Sequence, residues 1–494
     1  MRLRTFLFSR SNLKPGFVSL FSSILLFKFI QAFYFVYLTG CSHPENKIGN
    51  FAFASGDTFS YTGAMENYIS KGTYFFFNGK ENIYAGRLPH YSIPYFLFRQ
   101  FLSPENSYDL LVILQLLIEC LAGVYLVKLY LRITNDKIGA WGLILLFLAS
   151  SNLTVFSIYA SPESFSCSLL IFFLYWYYSY TEGKSKKDLV FSGCFLSLAI
   201  TLKPYLILLF LPIGIHFLFE EYESSIMKIK KSLWKSLLIA SPLVFLLLPW
   251  TIRNYSIYKK MVPLQINTTA GYNYTDAELS YRKFVMAWGG DIIFWEKTSA
   301  GCYFMPHREI PCEFKMPSYA FTNKYGLAEV EQVRTTFIIL QDKYSDSLNV
   351  QVAKAFDRLT EIYKKGKPFQ FYFLAPLRLT IKFLVHSGSY YLPVHTSNPC
   401  YRSFQLILKL SQSGIYWISL LFGIPGVFLL GIRIKNIFFP FLPVFIIIFF
   451  PVVLHAAEAR YFRTVEPILY LGVAYLFYSV QKRITTKKFM SPKA

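Results

Sequence analysis

Residues 17–38, FVSLFSSILLFKFIQAFYFVYL, decide how this chain is read. The 22 residues hold a single charge, Lys28, and a helix of about 20 mainly apolar residues crosses a ~30 Å hydrocarbon core. The run is longer than the apolar core of a signal peptide, and no small-residue cleavage site stands out after Gly40. Arg2, Arg4, Arg10 and Lys14 precede it, so it reads as a retained first span with a cytoplasmic N-terminus.

Nine further apolar runs follow: Leu110–Leu131, Ile138–Tyr159, Phe165–Tyr180, Leu189–Leu202, Tyr205–Phe219, Leu233–Trp250, Ser413–Gly431, Ile437–Leu454 and Val465–Val480. The expectation is an all-α polytopic membrane protein of about ten transmembrane helices. Alternating sides from a cytoplasmic start places 20 basic residues inside, among them Arg132, Lys137, Lys184, Lys228, Arg433 and a tail ending in Lys493. Three basic residues, Lys203, Arg460 and Arg463, remain in the short segments outside. The bias makes both termini cytoplasmic, and a bacterial inner membrane is the expected location. Lys203-Pro204 divides Leu189–Phe219 into two short runs. Whether this is one bent helix or two spans stays open, although one helix would put Lys487 and Lys488 outside.

The composition agrees. Apolar residues make up 54% of the 494, charged residues 16%, aromatic residues 19%, and the mean hydropathy is +0.37. An ordinary soluble domain carries about 25% charged residues, so a purely water-soluble enzyme, a disordered chain and a disulfide scaffold are excluded. The net charge of +22 arises from basic residues that bracket apolar runs. Lipid head groups and the positive-inside bias account for them without nucleic acid.

The domain reading follows. Residues 1–250 form an N-terminal transmembrane module with a first outer loop at 40–108, residues 251–412 a larger mixed outer domain, and residues 413–494 C-terminal helices with a basic tail. Within the outer domain, Leu348, Val352, Ala355, Phe356, Leu359, Ile362 and Tyr363 predict an amphipathic helix capped by Asp346 and stopped by Gly366 and Pro368. Ser92–Leu102 and Phe371–Val385, the latter with Arg378 and Lys382, read as helices lying at the interface. The chain shows no internal repeat, which argues mildly against a transporter.

Of seven cysteines, Cys41, Cys302, Cys312 and Cys400 fall in outer segments. Cys302–Cys312 is the natural disulfide, flanking Pro306 and Pro311, and four free thiols are the alternative. No Cys or His spacing matches a structural zinc site. Asn267 and Asn273 begin glycosylation sequons that matter only in a host that makes such glycans.

The chemistry gathers on the outer side. Asp57, Tyr61, Ala64 and Tyr68 are spaced along one helix face, with Asp57 at its N-terminal edge as a general base or simply a cap. Arg87-Leu-Pro-His90-Tyr91 suits a phosphate or snorkels to lipid. Glu163 in Ser161-Pro162-Glu163 sits at the mouth of the bundle as a functional acid or a helix start. Lys203 and Arg253-Asn254 after Trp250 are phosphate ligands or interface anchors. His455, Glu458, Arg460, Tyr461, Arg463 and Glu466 crowd a turn between apolar runs, either engaging an anion or pairing locally.

At these residues the chain resembles the GT-C superfamily of integral-membrane glycosyltransferases, the branch with protein mannosyltransferases and aminoarabinose transferases. The resemblance rests on Gly56-Asp57 with Tyr61 and Ala64, Arg87-x-Pro89-x-Tyr91, Ser161-Pro-Glu163, Pro249-Trp250-x-x-Arg253-Asn254, and Ala459-Arg460-Tyr461 with Pro467. Here Arg87 stands where the family often has Lys, and Thr58 follows Asp57 where a second acid is frequent. The resemblance implies an inverting sugar transfer from a polyprenyl-phosphate donor to a lipid, glycan or protein acceptor on the extracytoplasmic side. Asp57 would be the base, and Glu163 would orient the acceptor or help hold a divalent metal with Asp57. Arg87, Lys203, Arg253, Arg460 and Arg463 would bind the donor phosphate, and Tyr61, His90, Asn254, Glu458 and Tyr461 would orient substrates. A lipid-linked glycan flippase and a glycan polymerase or ligase are the rivals. The flippase needs ionisable residues within the spans, where Lys28, Glu119, Lys128 and His216 are nearly all there is.

Overall fold

The computed structural model describes residues 16–77, 82–220, 225–265, 268–269, 272–273, 275–293, 297–305, 311–453, 458 and 460–490. Arg2, Arg4, Arg10, Lys14, Asn267, Pro306, His455, Ala459 and Lys493 lie outside them, as do the side chains of Asn273, Lys487 and Lys488.

The described residues of the ten apolar runs fall mainly on helix, with a 3₁₀ stretch at Pro204–Leu209. Four helices are long and apolar enough to cross a membrane: Phe17–Ser42, Pro104–Thr134, Ile226–Tyr258 and Ser403–Arg433. Lys137–Ala149 and Ser151–Ile158 qualify only as a pair, bent by 45°, and Pro204–Glu220 and Phe438–Val453 are shorter apolar helices. The first span buries Leu20, Ile24, Lys28, Ala32, Phe35 and Leu38 along one stripe, yet Leu26, Phe27, Ile30 and Phe33 on other faces stay exposed. A helix apolar all round, with its large side chains uncovered, is solvated by lipid. Leu233, Leu237, Val244, Phe245 and Leu248 repeat the pattern on Ile226–Tyr258.

Local chemistry sets the breaks. Ser103 caps Pro104–Thr134 through Asn106 N, and Asp136 caps Lys137–Ala149 through Ile138 N and Gly139 N. Between 186 and 220 the helix Lys186–Leu202 ends at Lys203, whose successor Pro204 opens a 3₁₀ stretch, Pro204–Leu209, before Phe210–Glu220. Pro204 cannot donate a backbone hydrogen bond, so the break falls where the sequence divides. At the crossing of Ile424–Arg433 with Glu466–Met490, a Cβ on Gly426 would run into the Gly472 carbonyl.

Among the described residues the chain forms two compact units. One comprises the described parts of Met1–Ile266, Ser387–Pro443 and Arg463–Ala494, and the other those of Asn267–His386 and Val444–Phe462. In the first, Cys41 is disulfide-bonded to Cys400, 359 positions away. The described residues of the second combine helices, irregular connections and a hairpin of Thr268–Thr269 with Tyr272–Asn273, and contain the expected Cys302–Cys312 disulfide. Its helices Asp276–Ala287, Leu327–Asp342 and Asp346–Gly366 enclose Tyr281, Phe284, Phe304, Phe337 and Phe356. The expected amphipathic face on Asp346–Gly366 is the one that packs, with Val352, Phe356, Leu359 and Tyr363 buried. Asp346 is not its cap: it is the first helical residue after Ser345 and accepts instead from Tyr344 Oη at 2.9 Å. Pro368 does not merely end that helix but opens the next helical stretch, through Gln370–Leu374 into Ala375–Val385.

Candidate active site

In the first unit the segment between the helices Phe17–Ser42 and Pro104–Thr134 is shaped by one carboxylate. Asp109 accepts from the backbone N–H of Asn50, Phe51 and Ala52 at 2.9, 2.7 and 3.1 Å. The chain then runs beside the turn after Ser151–Ile158, with Phe53 N donating to Ile158 O at 3.0 Å and Ala160 N to Phe53 O at 2.9 Å. These two bonds join the stretch that leads to Asp57 to the turn that leads to Glu163.

Asp57 stands at the N-cap position of Thr58–Lys71, but its carboxylate makes no capping hydrogen bond. Thr58 organises the turn instead, its Oγ1 accepting from Ser55 N at 2.7 Å and donating to Ala160 O at 2.9 Å. The Asp57 carboxylate meets Arg87, Oδ1 to Nη2 at 3.2 Å, and both side chains are largely buried. Arg87 Nε also donates to Ser60 Oγ at 3.3 Å, and its guanidinium lies 4.6 Å from the Tyr61 ring centroid. Cation–π contact and ion pair together hold the planar fork in one orientation.

Tyr61 meets Tyr91 edge-on at 5.3 Å. The Tyr91 hydroxyl donates to Gln115 Oε1 at 2.8 Å, and Gln115 Nε2 donates to the carbonyls of Ser157 and Tyr159. His90, one residue earlier, has its imidazole pushed below the usual value by burial, against a hydrogen bond with the Leu246 backbone. Its Nδ1 has no hydrogen-bond partner among the described residues.

Glu163, the first residue of Glu163–Gly183, pairs with Lys203, Oε1 to Nζ at 2.7 Å, and both are buried. Arg253 donates to Tyr84 O and Asn254 Oδ1 at 2.7 and 2.8 Å and to Tyr74 O, and stacks over Trp250 at 4.8 Å. Asn254 Nδ2 donates to Val262 O at 2.9 Å and Trp250 Nε1 to Leu264 O at 2.7 Å. The Trp250-Arg253-Asn254 element therefore clamps two loop segments.

Two further groups of charges in this unit are buried internal pairs. Lys28 lies 3.2 Å from Glu119 and donates to Ser150 O at 3.1 Å and Thr154 Oγ1 at 2.9 Å, using a carbonyl at the bend in the broken helix pair. Arg463 is enclosed, 2.6 Å from Glu466 and donating to Ser387 O, and Gln412 also reaches Glu466. A cavity of about 10 Å³, the size of one water, touches Glu119, Glu163, Ser164, Ser168 and Arg463. In the second unit Arg460 Nε lies 2.6 Å from Glu458 Oε1, and the Tyr461 ring stacks on Phe450 at 4.0 Å.

The structure thus gathers Asp57, Tyr61 and Arg87, pairs Glu163 with Lys203, and ties Arg253 and Asn254 to backbone. Among the described residues no three His, Cys, Asp or Glu side chains are grouped to hold a metal ion. Asp57 and Glu163 each face a cation, so this donor set does not fit a divalent metal. Asp109, Gln115 and Ser60 were not foreseen. None of the three carries a signal in the linear sequence: Asp109 shares its helix start with Glu105, and its partners are backbone groups.

Residues 100–250 match the family described as Dolichyl-phosphate-mannose-protein mannosyltransferase. That family lies within the GT-C superfamily, so the resemblance read from the motifs holds over this segment. Membrane glycosyltransferase of the GT-C type is the class it indicates. The match takes in Glu163 and Lys203 and ends at Trp250, with Asp57, Arg87 and Arg253 beyond its limits. No curated protein and no solved structure matches the chain.

Proposed function

We propose that this protein transfers a sugar from a polyprenyl-phosphate donor to a hydroxyl of a lipid, glycan or protein acceptor, with inversion, on the extracytoplasmic face of a bacterial inner membrane. The observation that carries the reading is the Asp57 carboxylate, placed at a helix start yet not capping it, and held at 3.2 Å by Arg87. Asp57 takes the acceptor proton as the acceptor oxygen bonds to the anomeric carbon. The bond from that carbon to the phosphate oxygen breaks, and polyprenyl phosphate leaves with the electron pair. Arg87 fixes the carboxylate and, with Lys203 and Arg253, offsets the growing phosphate charge, each well-placed donor contributing roughly 3 kcal/mol. The apolar groove between Phe29, Phe33 and Val36 of the first span and Val112, Ile113 and Leu116 of the second suits the isoprenoid tail.

The description of the matched family names dolichyl-phosphate mannose and protein, which makes a polyprenyl-phosphate hexose the first donor to try. The test is radiolabel transfer by purified protein from polyprenyl-phosphate mannose to a membrane extract. Transfer that stops in Asp57→Asn and persists in Glu119→Asp supports the reading. Full transfer by Asp57→Asn removes the base and with it the mechanism.

A further inference from the structure

The second unit contains a groove of about 540 Å³ that the chemistry above does not use. It is lined by the turn Thr322-Asn323-Lys324 and, facing it, by Arg358, Glu361, Ile362 and Lys365 with Gly366-Lys367. Its backbone is anchored to the aromatic core beneath it. Tyr363 and Tyr325 are buried in the aromatic core, the Tyr363 hydroxyl donates to Tyr319 O at 3.1 Å, and the Tyr325 hydroxyl donates to Ala320 O at 2.9 Å. The turn is closed by Thr322 N donating to Tyr325 O at 3.1 Å.

Helical spacing puts Arg358, Ile362 and Lys365 on one face of Asp346–Gly366, aimed at the turn. Four cations, Lys324, Arg358, Lys365 and Lys367, surround one carboxylate, Glu361, leaving a charge of +3. Among the described residues Lys367 Nζ forms no ion pair and donates to a backbone carbonyl, Tyr319 O at 3.4 Å, and Arg358 and Lys365 have no ion-pair partner. The helix C-terminus contributes about half a negative charge, too little to cancel three cations. The last-turn lysines are therefore more than a complement to the helix dipole. Thr322 Oγ1 and the Asn323 amide add neutral polar groups to one wall, and Ile362 adds an apolar patch. Clustered cations, neutral hydrogen-bonding groups and a small apolar surface together match a sugar that bears a phosphate.

We propose that this groove binds a phosphate-bearing saccharide, the anionic part of an acceptor glycan. The assignment to an acceptor rests on the glycosyltransferase reading, whereas the binding itself does not. Arg358 supplies a bidentate fork for the phosphate, and Lys324, Lys365 and Lys367 supply point charges around it.

The experiment is a titration of the full-length protein in detergent with mannose 6-phosphate, alongside mannose, inorganic phosphate and dihexanoyl phosphatidylglycerol, at low and at physiological salt. The expected result is mannose 6-phosphate binding at least tenfold tighter than mannose, inorganic phosphate or the lipid, weakened by salt, and at least tenfold weaker in Arg358→Gln/Lys365→Gln. Both substituted residues are exposed, so the fold is expected to survive, and an unchanged melting temperature verifies it. Absent binding, equal affinity for mannose, or a double variant that binds as wild type overturns the proposal. Equal or tighter binding of the lipid overturns the saccharide assignment in favour of a headgroup. Asp57→Asn is expected to bind mannose 6-phosphate as wild type does, so a failed transfer assay and a failed titration are told apart.

Discussion

The carboxylate of Asp57 and the guanidinium of Arg87, 30 positions apart, stand 3.2 Å from each other at the start of a helix that Asp57 does not cap. The two roles open to this acid separate on substitution. Asn caps a helix about as well as Asp, so a capping residue would tolerate Asp57→Asn with activity and stability intact. A general base contributes about 10²–10⁴-fold, and we expect kcat to fall by that order in Asp57→Asn with the melting temperature unchanged. Arg87→Lys keeps the charge but loses the fork held over Tyr61, and a drop of about tenfold is expected. Steady-state transfer kinetics check both.

Glu163 and Lys203 are a buried pair 2.7 Å apart, and removing one partner strands the other's charge. Such single losses cost about 3–5 kcal/mol, whereas replacing both by apolar groups of similar volume is often tolerated. Glu163→Leu and Lys203→Met are each expected to lower the thermal unfolding midpoint in detergent, and the double variant to recover much of the loss. Additive single effects would show that the pair is not coupled.

What was legible in the sequence was what is local. The apolar runs mark helix because their length and content need only neighbours in the chain, and the face of Asp346–Gly366 was readable from spacing alone. The break at Lys203-Pro204 was readable because proline acts on its own backbone. The pairs at Asp57–Arg87 and Glu163–Lys203 were not legible as pairs, though each residue had been singled out, because nothing in a linear pattern says which carboxylate meets which cation. Asp109 was hidden for a related reason. Its partners are three backbone N–H groups near residue 51, and backbone donors have no sequence signature. Arg253 was read as a possible phosphate ligand, and its actual partners include the carbonyls of Tyr74 and Tyr84.

The Cys41–Cys400 disulfide closes 359 positions of chain, far more than the 10 between Cys302 and Cys312. In the chain-entropy account a longer loop gives a larger stabilisation, up to about 5 kcal/mol. Reduction or Cys400→Ser is therefore expected to lower the unfolding midpoint more than Cys312→Ser does. Peptide mapping without reductant checks the connectivity, and a cross-pairing such as Cys41 with Cys312 would contradict it.

His90 is the clearest source of pH dependence in the first loop. Burial holds its imidazole below the ordinary value near 6.5, so the folded state resists a proton that the unfolded chain accepts. The unfolded state then binds more protons just below pH ~6.5, and stability falls as the pH drops through that value toward the folded pKa. The contribution is complete above it. His90→Gln removes the titration while keeping a polar side chain, so the stability difference between wild type and variant should be greatest near neutrality and narrow on acidification. Unfolding midpoints taken from pH 8 to pH 5 read this directly. Parallel curves for the two proteins would mean that His90 titrates alike in both states, and that its burial beside the Leu246 backbone exerts no linkage.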